Sequence, residues 1–146
     1  MSSYVSAEIR RQVAERARLL CEYCSIHEAD TFYGCHVDHI ISEKHGGLTT
    51  FDNLAYACAL CNRAKGSDIA SLAMDSKTLI RFYNPRIDYW TDHFRLENAM
   101  IVVKTTIGEA TARILGLNTH DRVVERRLLN RFGRYPSPEA KALIAE

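Results

Sequence analysis

Two cysteine pairs offer the clearest chemistry in the chain, Cys21-Glu22-Tyr23-Cys24 and Cys58-Ala59-Leu60-Cys61. In each, a tight C-x-x-C knuckle can turn both sulfurs toward one cation, and two such knuckles supply the four soft ligands of a closed tetrahedral zinc site. The 33 residues between the pairs exceed what a simple zinc ribbon uses. The intervening stretch therefore reads as a structured insert clamped at its base, with the metal contributing to folding. A thiol redox centre is the competing reading; it is disfavoured because there are two pairs and no βαβ context. Cys35 lacks a C-x-x-C partner and reads as a small apolar strand residue.

Inside the clamp lie His36-Val37-Asp38-His39-Ile40-Ile41, Gly46-Gly47 and Asn53-Leu54, and directly after the last cysteine comes Asn62-Arg63-Ala64-Lys65-Gly66. One carboxylate, one imidazole and two carboxamides form a donor set unlike the all-sulfur site. It suits a harder ion such as Mg²⁺ or Mn²⁺, which prefers oxygen ligands and leaves positions open for phosphate. Taken singly, His39 reads as a structural histidine, Asn53 as a turn or cap, and Asn62 as a helix cap. Their combination inside one clamp points to phosphoryl chemistry.

These residues, in this order, resemble the HNH endonucleases of the four-cysteine type. The matching pattern is C-x-x-C, Val-Asp-His-Ile, Gly-Gly, Asn-Leu, C-x-x-C-Asn and Lys-Gly, over about residues 21–66. The resemblance implies an α+β fold built on a zinc-clamped ββα-metal (His-Me finger) core. It further implies that Asp38 and Asn62 ligate a catalytic Mg²⁺ or Mn²⁺, that His39 is the general base, and that Asn53 braces the loop aiming His39. Cys21, Cys24, Cys58 and Cys61 would hold structural zinc. The implied activity is hydrolysis of DNA phosphodiesters, leaving 5′-phosphate and 3′-hydroxyl ends. One departure is visible: many members have proline soon after Asp-His-Ile, whereas Ile41-Ser42 follows here, which bears on loop stiffness.

A strand through Asp38 and His39 would send the two side chains to opposite faces, so the strand is expected to end or bend there. Gly46-Gly47 would permit the tight return to Asn53. Lys44, Arg63 and Lys65 flank the expected metal and are the first candidates for nucleic-acid phosphate contact, with Arg10, Arg11, Arg16 and Arg18 as a second patch. Downstream, Phe82, Tyr83, Tyr89, Trp90 and Phe94 interleave with Arg81, Arg86 and Arg95; this cluster reads as core before it reads as a base-stacking surface. His27, His93 and His120 read as ordinary surface or core residues. His36 is a candidate for substrate contact, and His45 falls near the loop tip.

The elements that must position this chemistry can be traced along the chain. Residues 7–20 read as an amphipathic helix capped by Ser6, with Ile9, Val13, Ala17 and Leu20 on one stripe. Strand-like pieces run from Cys35 to Asp38 and Leu54 to Cys58, followed by a helix from Asn62. Leu79–Tyr83 and Phe94–Lys104, separated by Asn84-Pro85, are expected to make a small sheet or hairpin. Two helices close the chain, Ile107–Leu115 stopped by Gly116, and about 119–131 introduced by Asn118 and stopped by Gly133. Residues 1–146 read as one domain, with a core over 6–70 and an extension over 71–146.

The 146 residues are 47% hydrophobic and 25% charged, which fits a compact domain. No apolar run approaches the roughly 18 residues of a membrane span, and the N-terminus lacks the pattern of a secretory signal. A soluble, cytoplasmic protein is the expectation. A net charge of +1 is low for a nucleic-acid binder; residues 1–66 hold seven Lys/Arg against eight Asp/Glu, so any phosphate-binding surface is local. The charge balance does not separate DNA from RNA. One active site cuts one strand, so both monomer and homodimer are open. A zinc-dependent nucleic-acid or protein-binding module without catalysis is the alternative from a different class.

Overall fold

The computed structural model describes residues 4–145. The chain runs α1 (Ala7–Arg16), β1 (Cys35–His39), β2 (Leu54–Cys58), α2 (Ala59–Lys65), β3 (Ala70–Leu72), β4 (Leu79–Arg81), α3 (Trp90–His93), β5 (Phe94–Glu97), β6 (Met100–Val103), α4 (Thr106–Leu115), α5 (His120–Arg131) and α6 (Pro138–Ala145), with short 3₁₀ turns between. The strands form three separate antiparallel hairpins, β1–β2, β3–β4 and β5–β6. This is a mixed helix-and-sheet fold, compatible with the α+β expectation.

Helix α1 begins where Ser6 predicts, the serine hydroxyl accepting the Ile9 amide. It stops a turn earlier than the apolar stripe implies, because Arg18 and Leu19 both adopt positive φ. That reversal lets Leu20 bridge back to His27 and delivers Cys21 into the interior. Val13, Ala14 and Ala17 pack on Leu54 and Tyr56, fastening α1 to β2.

Strands β1 and β2 pair in a register that sets Cys35 opposite Cys58 and His39 opposite Leu54. All five residues of β2 are buried, so it is covered on both faces, by α1 on one and by the cysteine-rich core on the other. Helix α2 follows with no intervening loop. Cys58 is its N-cap, its sulfur accepting the Cys61 amide at 3.5 Å. The helix therefore starts before Asn62, which sits inside its second turn and is not its cap.

The downstream half differs from expectation in three ways. Leu79–Arg81 pairs with the short strand Ala70–Leu72, while Phe94–Val103 folds on itself around Asn98, at φ 51°. Thr119, not Asn118, precedes α5; Asn118 instead clamps Ile101, accepting from its amide at 3.1 Å and donating to its carbonyl at 2.7 Å. A third closing helix, α6, follows the two that were expected. Helix α4 matches closely, ending on Gly116 in the left-handed conformation. Helix α4 also approaches the α3–β5 junction at Gly108, where a Cβ would lie 2.4 Å from the His93 carbonyl oxygen.

The main core ignores the expected division near residue 70. One buried cluster joins Tyr23, Cys24, Ile40 and Cys61 to Phe82, Phe94, Ile101, Leu117 and Tyr135. The downstream aromatics are largely core: Tyr83 and Phe94 meet edge to face at 5.6 Å, and the Trp90 indole donates to the Tyr23 carbonyl at 2.9 Å. Tyr89 alone of that group is exposed. The arginines interleaved with them are paired: Arg81 with Asp88, Arg86 with Glu22, Arg95 with Glu97. No helix among the described residues is long and apolar enough to cross a membrane.

Candidate active site

Cys21, Cys24, Cys58 and Cys61 come together from both ends of the clamp, their sulfurs all within 4.8 Å of one another and all buried. A tetrahedral zinc site with Zn–S bonds near 2.3 Å spaces its sulfurs by about 3.8 Å. The Cys24–Cys58 separation is 3.8 Å. In each knuckle the second cysteine's amide points at the first one's sulfur, Cys24 N to Cys21 Sγ and Cys61 N to Cys58 Sγ, both 3.5 Å. Four buried sulfurs in this arrangement fit zinc.

The four sulfurs differ in their electrostatics. Burial pushes the Cys21 and Cys61 thiols well above the ordinary range, while hydrogen bonds from the other three sulfurs hold Cys24 well below it. Arg122, on α5, donates to Cys61 Sγ at 3.0 Å and lies 3.9 Å from Cys58 Sγ. Burial works against its charge, yet the surrounding sulfurs raise its pKa above the usual arginine value. Cys35 stays outside the cluster; it is half-buried, and burial raises its thiol.

The oxygen-and-imidazole residues gather at the other end of the β1–β2 hairpin. Strand β1 ends at His39, and alternation sends the two neighbours to different surroundings. Asp38 is buried; it accepts from the Tyr23 hydroxyl at 3.0 Å and pairs with the Lys65 ammonium at 3.2 Å. Burial pushes its carboxyl above the usual carboxylate range, the Lys65 charge and the Tyr23 hydrogen bond offsetting this only in part. His39 faces the loop instead, its Nε2 lying 2.9 Å from Thr49 Oγ1 and 3.6 Å from Glu43 Oε1.

Asn53 ties that loop together through three side-chain hydrogen bonds. Its Oδ1 accepts from Ile41 N at 3.0 Å, and its Nδ2 donates to Ile41 O at 2.9 Å and Leu48 O at 2.8 Å. Gly46 takes φ 88°, and Gly47 lies so close to the strand end that a Cβ there would sit 1.7 Å from Ile41 O. Behind the hairpin, guanidinium groups of Arg16 from α1 and Arg86 from the downstream half both donate to the Leu54 carbonyl, opposite His39. Arg16 also lies over the Phe51 ring, 3.8 Å from its centroid.

Asn62 and Lys65 are three residues apart on α2 and so share a helix face. Lys65 on that face reaches Asp38 and donates to the His39 carbonyl at 3.0 Å. Among the described residues, no hydrogen bond engages the half-buried Asn62 amide. An ionised carboxylate offers about four acceptor sites. Asp38 therefore keeps acceptor capacity beyond Tyr23 and Lys65, and a carboxylate and a carboxamide oxygen are donor types that a hard divalent cation takes.

Lys65 departs from the role expected of it. Lys44 and Arg63 are exposed, as a phosphate contact requires, but the Lys65 side chain is buried with its ammonium turned onto Asp38. A lysine buried beside a carboxylate pairs with it in preference to leaving both charges unmet. Arg16 and Arg11 of the second patch are likewise engaged, Arg11 with Glu8 and Glu15. Of the remaining histidines, His27 caps a 3₁₀ turn through Nδ1, His93 meets Thr105, and His36, His45 and His120 are exposed.

Residues 21–68 match the family model of the HNH endonucleases. This stretch is similar to the HNH domain of those enzymes. It contains both cysteine knuckles, the β1–β2 hairpin and α2, and hence every residue assigned above to the clamp and its insert. No curated protein and no solved structure matches the chain. Four participants lay outside the reading of the motif: Tyr23, Glu43 and Thr49 within the matched stretch, and Arg122 beyond it. Tyr23 sits inside the first C-x-x-C, where only its burial reveals a role. Arg122 stands 61 residues from its sulfur partner, with no local pattern to mark it.

Proposed function

We propose that the chain is a metal-dependent endonuclease that hydrolyses DNA phosphodiesters, leaving 5′-phosphate and 3′-hydroxyl ends, on a zinc-clamped ββα-metal core within one domain over residues 1–146. The observation that carries this reading is the placement of a carboxylate, Asp38, and an imidazole, His39, at the end of one HNH hairpin whose following loop is pinned by Asn53. Asp38 and Asn62 would hold Mg²⁺ or Mn²⁺. Such an ion, when bound, supplies Lewis acidity at the phosphate oxygens.

The protein's own residues account for the rest. His39 accepts a proton from water; the water oxygen forms the new P–O bond, the P–O3′ bond breaks, and the 3′ oxygen leaves and is protonated from solvent. Asn53 holds the loop that orients the ring. Lys44 and Arg63 contact flanking phosphates, and Lys65 holds Asp38 in place from within.

An inert zinc-dependent binding module is favoured by one feature: the Lys65 ammonium already neutralises Asp38. Product analysis separates the two. End-labelled duplex incubated with zinc-loaded protein and Mn²⁺ is expected to yield fragments that ligase rejoins without phosphatase or kinase treatment. DNA retained on the protein but uncut, together with uncut RNA, single-stranded and branched substrates, would support the binding module.

A further inference from the structure

We infer that Thr49 and Glu43 are positioning residues that fix His39 as its Nε2–H tautomer and leave Nδ1 as the ring's free base. This rests on the proposed role of His39 and names what aims it. The geometry is a chain of three side chains: His39 Nε2 lies 2.9 Å from Thr49 Oγ1, which lies 3.2 Å from Glu43 Oε1. The same Glu43 oxygen is 3.6 Å from His39 Nε2.

Proton counting decides the direction. A carboxylate only accepts, and a threonine hydroxyl has a single proton to give. The Thr49 proton therefore goes to Glu43, which leaves the hydroxyl oxygen as acceptor and requires His39 Nε2 to carry the hydrogen. The opposite tautomer would spend the Thr49 proton on the ring and set two bare oxygens 3.2 Å apart. Placement of the proton on one ring nitrogen by the partner of that nitrogen is a general property of histidine sites. The carboxylate at the far end also faces any positive charge the ring acquires.

The loop holds these groups at fixed spacing. Asn53 grips Ile41, two residues after His39, and Leu48, next to Thr49. Between them the amides of His45 and Gly47 close on Ser42 O and that of Gly46 on Glu43 O. Thr49, which hydrogen-bonds the ring, and Glu43 behind it thus both belong to the loop that Asn53 and the two glycines shape. Aligning the ring through its non-reacting nitrogen leaves the other nitrogen to accept a proton.

The test is direct ¹⁵N observation of the His39 ring in full-length, zinc-loaded protein without added Mg²⁺, at a pH where imidazole is neutral. The wild type is expected to show a single Nε2–H tautomer. Thr49→Val should give mixed tautomers, and Glu43→Gln, whose amide can donate to Thr49, should shift population toward Nδ1–H. In cutting assays Thr49→Val should lower kcat by about 10- to 100-fold with KM within about twofold, and Thr49→Ser should restore it. A mixed tautomer in the wild type, or an unchanged tautomer in both Thr49→Val and Glu43→Gln, would overturn the inference. Because the ring signals need no turnover, a wild type that cuts nothing yet holds one Thr49-dependent tautomer would sink the nuclease reading alone.

Discussion

Arg122 Nη2 lies 3.0 Å from Cys61 Sγ, joining the last third of the chain to the cysteine clamp. A zinc ion held by four thiolates leaves a net charge of −2, and a buried guanidinium offsets part of it. Partners outside the ligand shell typically change metal affinity by about 10- to 100-fold. Arg122→Met is expected to weaken zinc binding by that amount, read by competition with a chromogenic chelator, and Arg122→Lys to lose less. Unchanged retention in Arg122→Met would show that the contact is packing only.

Lys65 and Asp38 form a buried ion pair at 3.2 Å. Removing one partner of such a pair leaves an uncompensated charge and costs about 3–5 kcal/mol. Lys65→Met should show that loss in denaturant unfolding of zinc-loaded protein without Mg²⁺. Lys65→Met combined with Asp38→Asn should recover most of it. Added Mg²⁺ should stabilise Lys65→Met more than wild type if Asp38 is a cation ligand.

Much of the site was legible in the sequence, for a physical reason. Metal knuckles and the Gly-Gly return are short-range devices whose residue types are dictated locally, so spacing exposes them, whereas the Asn53 brace came from the family resemblance. Helix α2 was misplaced because Cys58 caps it, and sulfur is not a residue type that cap patterns favour. The inward turn of Lys65 was hidden because the depth of a side chain depends on what packs over it, here Tyr23 and the hairpin end. The early stop of α1 likewise follows from the tertiary need to bring Cys21 inward, against its own apolar stripe. Asn118 carries the signature of a helix start but is committed to Ile101, a contact across 17 residues that no local pattern encodes.

Gly47 tests the loop. A Cβ there meets the Ile41 carbonyl oxygen at 1.7 Å and Asn53 Nδ2 at 2.9 Å, so the backbone must move. Gly47→Ala is expected to destabilise by about 1–3 kcal/mol, in the range for overpacking, and to reduce cutting further than that loss explains. Thermal unfolding gives the first number and kcat at a temperature well below the transition the second.

Asp88 gives the pH prediction. Its bidentate hydrogen bonds from Arg81, with help from the Asn84 amide, hold its carboxyl below the ordinary aspartate value. A depressed folded-state pKa adds stability that is fully present above the unfolded value and is lost as pH falls through the folded one. Asp88→Asn should therefore destabilise at pH 7, by roughly 0.5–1 kcal/mol because solvent screens the exposed Arg81 side of the pair. The gap to wild type should close as pH falls through the lowered carboxyl titration of the folded state, measured by urea unfolding from neutral to strongly acidic pH.

Cleavage of supercoiled plasmid in EDTA, Mg²⁺ or Mn²⁺, with wild type beside His39→Ala and both verified as folded and zinc-loaded, tests the central claim most directly. The account predicts divalent-ion-dependent nicking by the wild type and none above background by His39→Ala. Cutting that His39→Ala retains in full would contradict the assignment of the base, and a wild type inert on every nucleic acid tried would contradict the nuclease reading itself.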